Sequence, residues 1–206
     1  VSAAENELAE RAGVHPSVTS YSHALDPAAL EGARLGVWRD GSAAAGPATA
    51  TVLDEVVARL RSLGAVLTDP VDLPGADKIG EPEFAALHYE FKYGINAYLA
   101  YVAEFSTAGT LPGTLAELID FNKRNADLVL SRFGQEIFEQ SESTSGDLAD
   151  PAYLALRRDA TRMARTAISA PLADHELEAI VALTTNPAGL TDYVLGDHDE
   201  FGSSSP

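Results

Sequence analysis

Cysteine is absent from the 206 residues, which removes disulfides, thiolate nucleophiles and cysteine-based zinc sites together. Positive charge is scarce: 14 Lys and Arg stand against 31 Asp and Glu, a formal charge of −17 at pH 7. A surface of that sign repels phosphate backbones and anionic lipid, so neither nucleic acid nor a membrane is expected as a partner. Long hydrophobic runs are also missing, and none approaches the roughly 20 residues of a membrane-spanning helix. The chain opens on Val1 instead of methionine and closes at Pro206 in a serine-rich run. Both ends suggest a segment of a longer protein, and a leader removed ahead of Val1 stays open. The location expected is cytoplasmic.

What is present is an ordinary globular composition, 46% hydrophobic and 22% charged, long enough for a sizeable core. The stretch Pro82–Val102 dominates the pattern. Phe84, Leu87, Phe91, Ile95, Tyr98 and Val102 recur at helical steps, and Ala85, Tyr89, Tyr93, Ala97 and Tyr101 line the neighbouring face. So little polar surface predicts a helix buried on more than one side. Its aromatics are read as core packing and not as a cofactor box.

Around this helix the chain reads as α/β. Asp26-Pro27 starts a helical turn, and strands are expected near residues 34–38, 65–73 and 177–183. Between the first two, Pro47–Leu63 is a helix with Val52, Val56, Leu60 and Leu63 on its apolar stripe, ended by Gly64. Strand, helix and strand with short connections make a parallel βαβ unit. Thr114–Glu117 is a capping box, and Ala126–Gln140 is read as one helix with Leu130, Phe133 and Ile137 on a single face. Asp150-Pro151 opens a basic helix, which Pro171 should break near Ser169.

Candidate chemistry is sparse. The loop DGSAAA at Asp40–Ala45 places Ser42 where a nucleophile would be sought, but it lacks the glycines of a tight nucleophile turn. Asp197-His198-Asp199 puts a histidine between carboxylates without a second histidine at a metal-binding spacing. Lys92, on an apolar helix between Glu90 and Asn96, is a buried-base candidate, for which pairing with Glu90 or a snorkelling side chain is the plainer reading. Gly202–Ser205 offers hydroxyls for an anion or carbonyl, or a frayed end. No nucleophile with a matching base emerges from these residues.

Several longer strings are more specific: LEGARLGVWRD from Leu30, HYEFKYGINAYLA from His88, LAELIDFN from Leu115, FGQEIFEQSE from Phe133, PAYLALRRDATRMAR from Pro151, and TTNPAGLTDYVLGDH from Thr184 followed by FGSSSP. In this order they resemble the stand-alone members of the amidase signature family over about Leu25–Pro206. The resemblance implies part of an α/β/α fold, a mixed sheet flanked by helices, forming a single partial domain in which residues 1–24 stay unassigned. It also implies a serine-type hydrolase of linear carboxamides that needs no cofactor or metal. The family's nucleophilic serine, its cis-linked second serine and its lysine base lie in segments this chain does not contain, so no catalytic residue is assigned here and the chain alone is expected to be inactive. Asn186, Pro187, Ala188, Ser203, Ser204 and Ser205 are implied to lie nearest the substrate pocket, with the aromatic helix packing over it. The partners implied are a small-molecule amide and the remainder of the same fold, with a homodimer left open. Leu183 stands where the family pattern has proline, and Ser169 and Pro171 depart from a regular helix-to-strand passage. The alternatives are a non-catalytic α/β binding domain or degenerate paralogue, and an amidotransferase A-type subunit, for which this charge would be an awkward neighbour of tRNA.

Overall fold

The structure, a computed structural model, describes residues 25–40, 46–105, 111–184 and 191–194. Strands β1 (Arg34–Val37), β2 (Val66–Thr68) and β3 (Ala179–Val181) form a sheet in the order β2-β1-β3. All its pairings are parallel, with Leu35 opposite Leu67 on one side and Ala179 on the other. β1 is central because Leu35, Gly36 and Val37 are all buried, as a strand covered on both faces requires.

The strands are shorter than their apolar runs. Pro70 has no N–H to give to the ladder, so β2 stops at Thr68, and Val71 makes one further bond to the Val37 carbonyl at 2.8 Å. On the way into β3 the chain turns through Glu176 at a φ of 52°. That turn consumes the first residues of the expected third strand.

Alternation along β1 separates two layers. Leu35 and Val37 face helix α1 (Pro47–Ser62), where Leu53, Val57 and Leu60 pack with Leu67 and Val181. The expected stripe through Val52 and Val56 is therefore rotated by one residue: those valines are 54% and 41% exposed, and Leu53 and Val57 take the core. Two adjacent apolar lines run along this helix, and only contact with Val37 decides between them. The other face carries Trp38 and Ile180, which pack with Leu73, Ile79 and Ala167. Gly36 lies on this face too, where an added Cβ would come within 2.7 Å of Leu177 and 2.9 Å of Val71.

The remaining helices are α2 (Gly80–Phe105), α3 (Leu115–Arg124), α4 (Ala126–Val129), α5 (Glu136–Glu142) and α6 (Pro151–Asp174). The caps form where the local sequence places them. Thr114 Oγ1 accepts from the Glu117 N–H at 3.2 Å, while the Glu117 carboxylate reaches back to the Gly113 N–H at 2.7 Å. Asp150 Oδ1 accepts from the Ala152 N–H at 2.9 Å.

Three expectations need correction. Residues 126–140 are not one helix, because the chain leaves helical geometry between Val129 and Glu136; Gly134 has little helix propensity, and Gln135 is occupied with α3. Helix α6 does not break near Ser169 but runs through a buried Pro171 to Asp174. The proline lies in the last turn, so little of the ladder is lost. Finally, α2 is a single helix as expected, yet among its described residues only Ala86 is buried, and Tyr93, Tyr98, Tyr101 and Phe105 are all more than half exposed.

Candidate functional site

In open parallel sheets, ligands collect beyond the carboxyl ends of the strands, where neighbouring connections diverge. Here that edge is formed by Trp38 and Arg39 after β1, Asp69 after β2, and Ala182–Thr184 after β3. Arg39 is its electrostatic centre. Its Nε donates to Asp69 Oδ1, its Nη2 to Asp69 Oδ2 at 3.0 Å, and its Nη1 to Asp54 on α1 at 2.8 Å. Arg61 adds a bond to Asp69 Oδ2 at 3.2 Å. These bonds raise the Arg39 pKa further, and the Arg39 guanidinium holds the Asp69 carboxyl below the usual carboxylate range against the opposing effect of burial. Charges locked in this way exchange no protons near neutrality, so the network fixes the ends of β1, β2 and α1 and does no acid–base chemistry.

Beside it, a groove of about 420 Å³ runs between α6 and β3, lined by Trp38, Leu73, Ile168, Leu172, Ile180 and Ala182. The Trp38 Nε1–H is buried here without an acceptor among the described residues. An indole N–H ordinarily has a partner; this one is itself closed to solvent, so what the groove presents is chiefly apolar side-chain surface.

The helical layer holds the other polar groups. His88 Nδ1 lies 2.9 Å from Ser141 Oγ, which donates to the Ile137 carbonyl at 2.8 Å. This serine–histidine contact is closed to solvent, since Ser141 is fully buried, and it ties α2 to α5. Lys92 neither pairs with Glu90 nor snorkels outward. Its Nζ donates to the carbonyls of Glu142 and Thr144, each at 2.8 Å, and meets the Glu142 carboxylate at 3.1 Å, closing the C-terminus of α5 where a cation is favoured. Glu90 instead accepts from the Tyr153 hydroxyl at 2.8 Å and pairs with Arg157 at 3.4 Å. Its carboxylate is the main cause of a raised Tyr153 pKa, with burial adding to it. Among the described residues no three metal-ligating side chains converge, and no helix is long and apolar enough to cross a membrane.

Asn186, Pro187, Ala188, Ser203, Ser204 and Ser205 lie outside the described residues, as do Ser42 and Asp197–Asp199. In the chain Asn186 follows Thr184, the end of the described stretch that contains β3, by two positions. Sequence reasoning missed Trp38 as an orphaned donor. It also missed the coupling of Asn122 to Gln135, 3.1 Å apart, although both residues sit in the FN and FGQ strings.

No family model matches the chain, and no curated protein matches it. Solved structures do. Peptide amidase PAM, in a structure with the competitive inhibitor chymostatin, superposes with a TM-score of 0.75 at 35% identity, over 94% of this chain and 38% of that one. Native peptide amidase from Stenotrophomonas maltophilia gives 0.68 at 37% identity, over 84% of this chain and 34% of that one. These likenesses are consistent with the amidase signature family. An amidase family protein from Bacillus anthracis str. Ames shares the fold, with a TM-score of 0.60 at 23% identity over 79% of this chain and 30% of that one. The chain thus spans a little over a third of the length of the peptide amidases it matches, and the three-layer arrangement seen here is one portion of the amidase fold.

Proposed function

We propose that this chain is the sheet-completing, pocket-walling part of a serine-type amidase, which hydrolyses a carboxamide C–N bond to a carboxylate and ammonia or an amine. The observation that carries the proposal is the 35% identity to a peptide amidase sustained over 94% of the chain. In such a reaction a serine oxygen adds to the carbonyl carbon, and the C–N bond breaks as the nitrogen takes a proton. Water then releases the acyl group as the carboxylate. The nucleophile and its base belong, on this reading, to the remainder of the fold, and this chain alone does not turn over. Its described residues are in keeping with that assignment: Ser141 is closed to solvent, Lys92 is spent on two carbonyls, and the Arg39–Asp69 pair does not titrate near neutrality. The chain contributes the walls, with Asn186, Pro187, Ala188 and Ser203–Ser205 nearest the substrate. A small-molecule amide and the rest of the same domain are its partners.

The test is ammonia release from a small carboxamide by the protein that carries this chain in its complete form, before and after a serine-reactive fluorophosphonate. Release that the probe abolishes is expected. A protein that neither releases ammonia nor takes up the probe refutes the hydrolase.

A further inference from the structure

The groove between α3 and the start of α5 is separate from the strand ends, and one polar atom in it is oriented by its neighbours. About 330 Å³ in volume, it is walled by Val129, Phe133, Ile137 and Phe138, with Asn122 and Gln135 as its polar members. The orientation of those amides follows from a fixed point. Gln135 Nε2 donates to the Ile119 carbonyl at 3.3 Å, and a carbonyl only accepts, so Gln135 Oε1 is the atom turned towards Asn122. That oxygen takes the Asn122 Nδ2–H at 3.1 Å, which leaves Asn122 Oδ1 on the other side. Asn122 is only 8% exposed, yet its Oδ1 accepts no hydrogen bond among the described residues. The apolar walls are the reverse case: Phe133, Ile137 and Val129 are 56%, 44% and 43% exposed. Bare apolar walls around one oriented and unpaired polar atom are the usual make-up of a small-ligand pocket.

We propose that this groove is a binding subsite for a group that presents an N–H beside a bulky apolar substituent, as an arylalkyl carboxamide does, with Asn122 Oδ1 accepting the N–H. The atom to be satisfied is an acceptor, so carboxylates and esters without an N–H are disfavoured. The walls provide for an aromatic or branched side chain. The Tyr193 ring packs against Phe133 in a tilted arrangement, 5.8 Å between centroids, and lies under Arg132 at 4.8 Å, which steadies the Phe133 side of the groove. The choice of a carboxamide over other N–H donors rests on the amidase reading above.

The test is a titration of the protein that carries this chain in its complete form, ¹⁵N-labelled and treated with the fluorophosphonate so that the amide is not consumed, with 3-phenylpropanamide, following the side-chain amide signals of Asn122 and Gln135. Saturable shifts at these signals are expected, with affinity about tenfold weaker for the N,N-dimethyl analogue, which has no N–H. Asn122→Leu should weaken binding to a similar degree. Phe133→Ala, an exposed position that leaves the amide pair untouched, should weaken it without affecting folding. Equal affinity for the dimethyl analogue, shifts confined to the Trp38 groove, or no saturation each overturns the proposal. Because the readout is binding, a complete protein that hydrolyses amides without these shifts refutes the subsite alone. Shifts without hydrolysis in the complete protein refute the amidase alone.

Discussion

Replacing Asp69 by asparagine tests whether the charged network at the strand ends stabilises the fold as its geometry implies. The Asp69 side chain is 9% exposed and receives bonds from Arg39 Nε, Arg39 Nη2 at 3.0 Å and Arg61 Nη2 at 3.2 Å. A hydrogen bond to a charged group contributes roughly 1.5–3 kcal/mol. Arg61 is more than half exposed, so its share is discounted for solvent screening. Arg39 keeps Asp54 in the Asp69→Asn variant, and the new side-chain amide would still accept one bond through its oxygen. The expected net loss is about 2 kcal/mol at pH 7, or a fall in Tm of roughly 4–8 °C for a chain of this size. The pH dependence is the sharper part. Because the Asp69 pKa is lowered on folding, its stabilisation is fully present above the unfolded carboxylate value of about 3.9 and disappears as pH falls through the folded value. Urea denaturation of both proteins between pH 7 and pH 3 should therefore show curves that converge in acid. Asp150 and Asp159 are also lowered and tilt both curves in the same sense, so the difference isolates Asp69. A gap that stays constant down to pH 3 would refute the reasoning.

Two further substitutions probe other parts of the frame. Lys92→Met keeps the apolar stem but strips the cation from the carbonyls of Glu142 and Thr144; a loss of about 2–3 kcal/mol is expected in urea denaturation, and a change below roughly 0.5 kcal/mol would return Lys92 to a solvated role. Gly36→Ala drives a methyl to 2.7 Å from Leu177 on the α6 face of the sheet; overpacking of about 1–3 kcal/mol should appear in the same assay, and an unchanged midpoint would mean that Leu177 and Val71 give way freely.

How much of this could be read beforehand depends on how local each cause is. The Thr114 and Asp150 caps, the Pro47 helix start and the buried β1 run follow from neighbouring residues, and each forms as read. The stripe on α1 did not follow, because Val52–Val56 and Leu53–Val57 are equally periodic and the choice is made by Val37, far away in sequence. The break before α5 was hidden for the same reason: it depends on Gln135 bonding to Ile119 and Asn122. Lys92 looked like a neighbour of Glu90, yet both are claimed by α5 and α6, elements some 50 and 63 residues onward. The pocket residues Asn186–Ala188 and Ser203–Ser205 came from resemblance and not from pattern, and they lie outside the described residues.

Helix α2 shows why a hydrophobic pattern alone misjudges burial. On an amphipathic helix the polar residues face water and the apolar ones face the core. Here several polar residues turn inward: His88 and Lys92 to α5, Glu90 to α6, and Asn96 to the Leu115 N–H at 2.7 Å. Some aromatics join them, Tyr89 against Tyr153 and Phe91 against Phe138. Tyr93, Tyr98, Tyr101 and Phe105 lie on the outside. Inward polar groups with satisfied partners fix the packing of α2 against α5 and α6 more narrowly than apolar contact could, because each bond has a direction and an unpaired buried group is costly. Among the described residues the outward aromatics then have no such task. On the proposed reading they are the face that the remainder of the amidase fold covers, which accounts for an apolar pattern too rich for the core that this portion builds by itself.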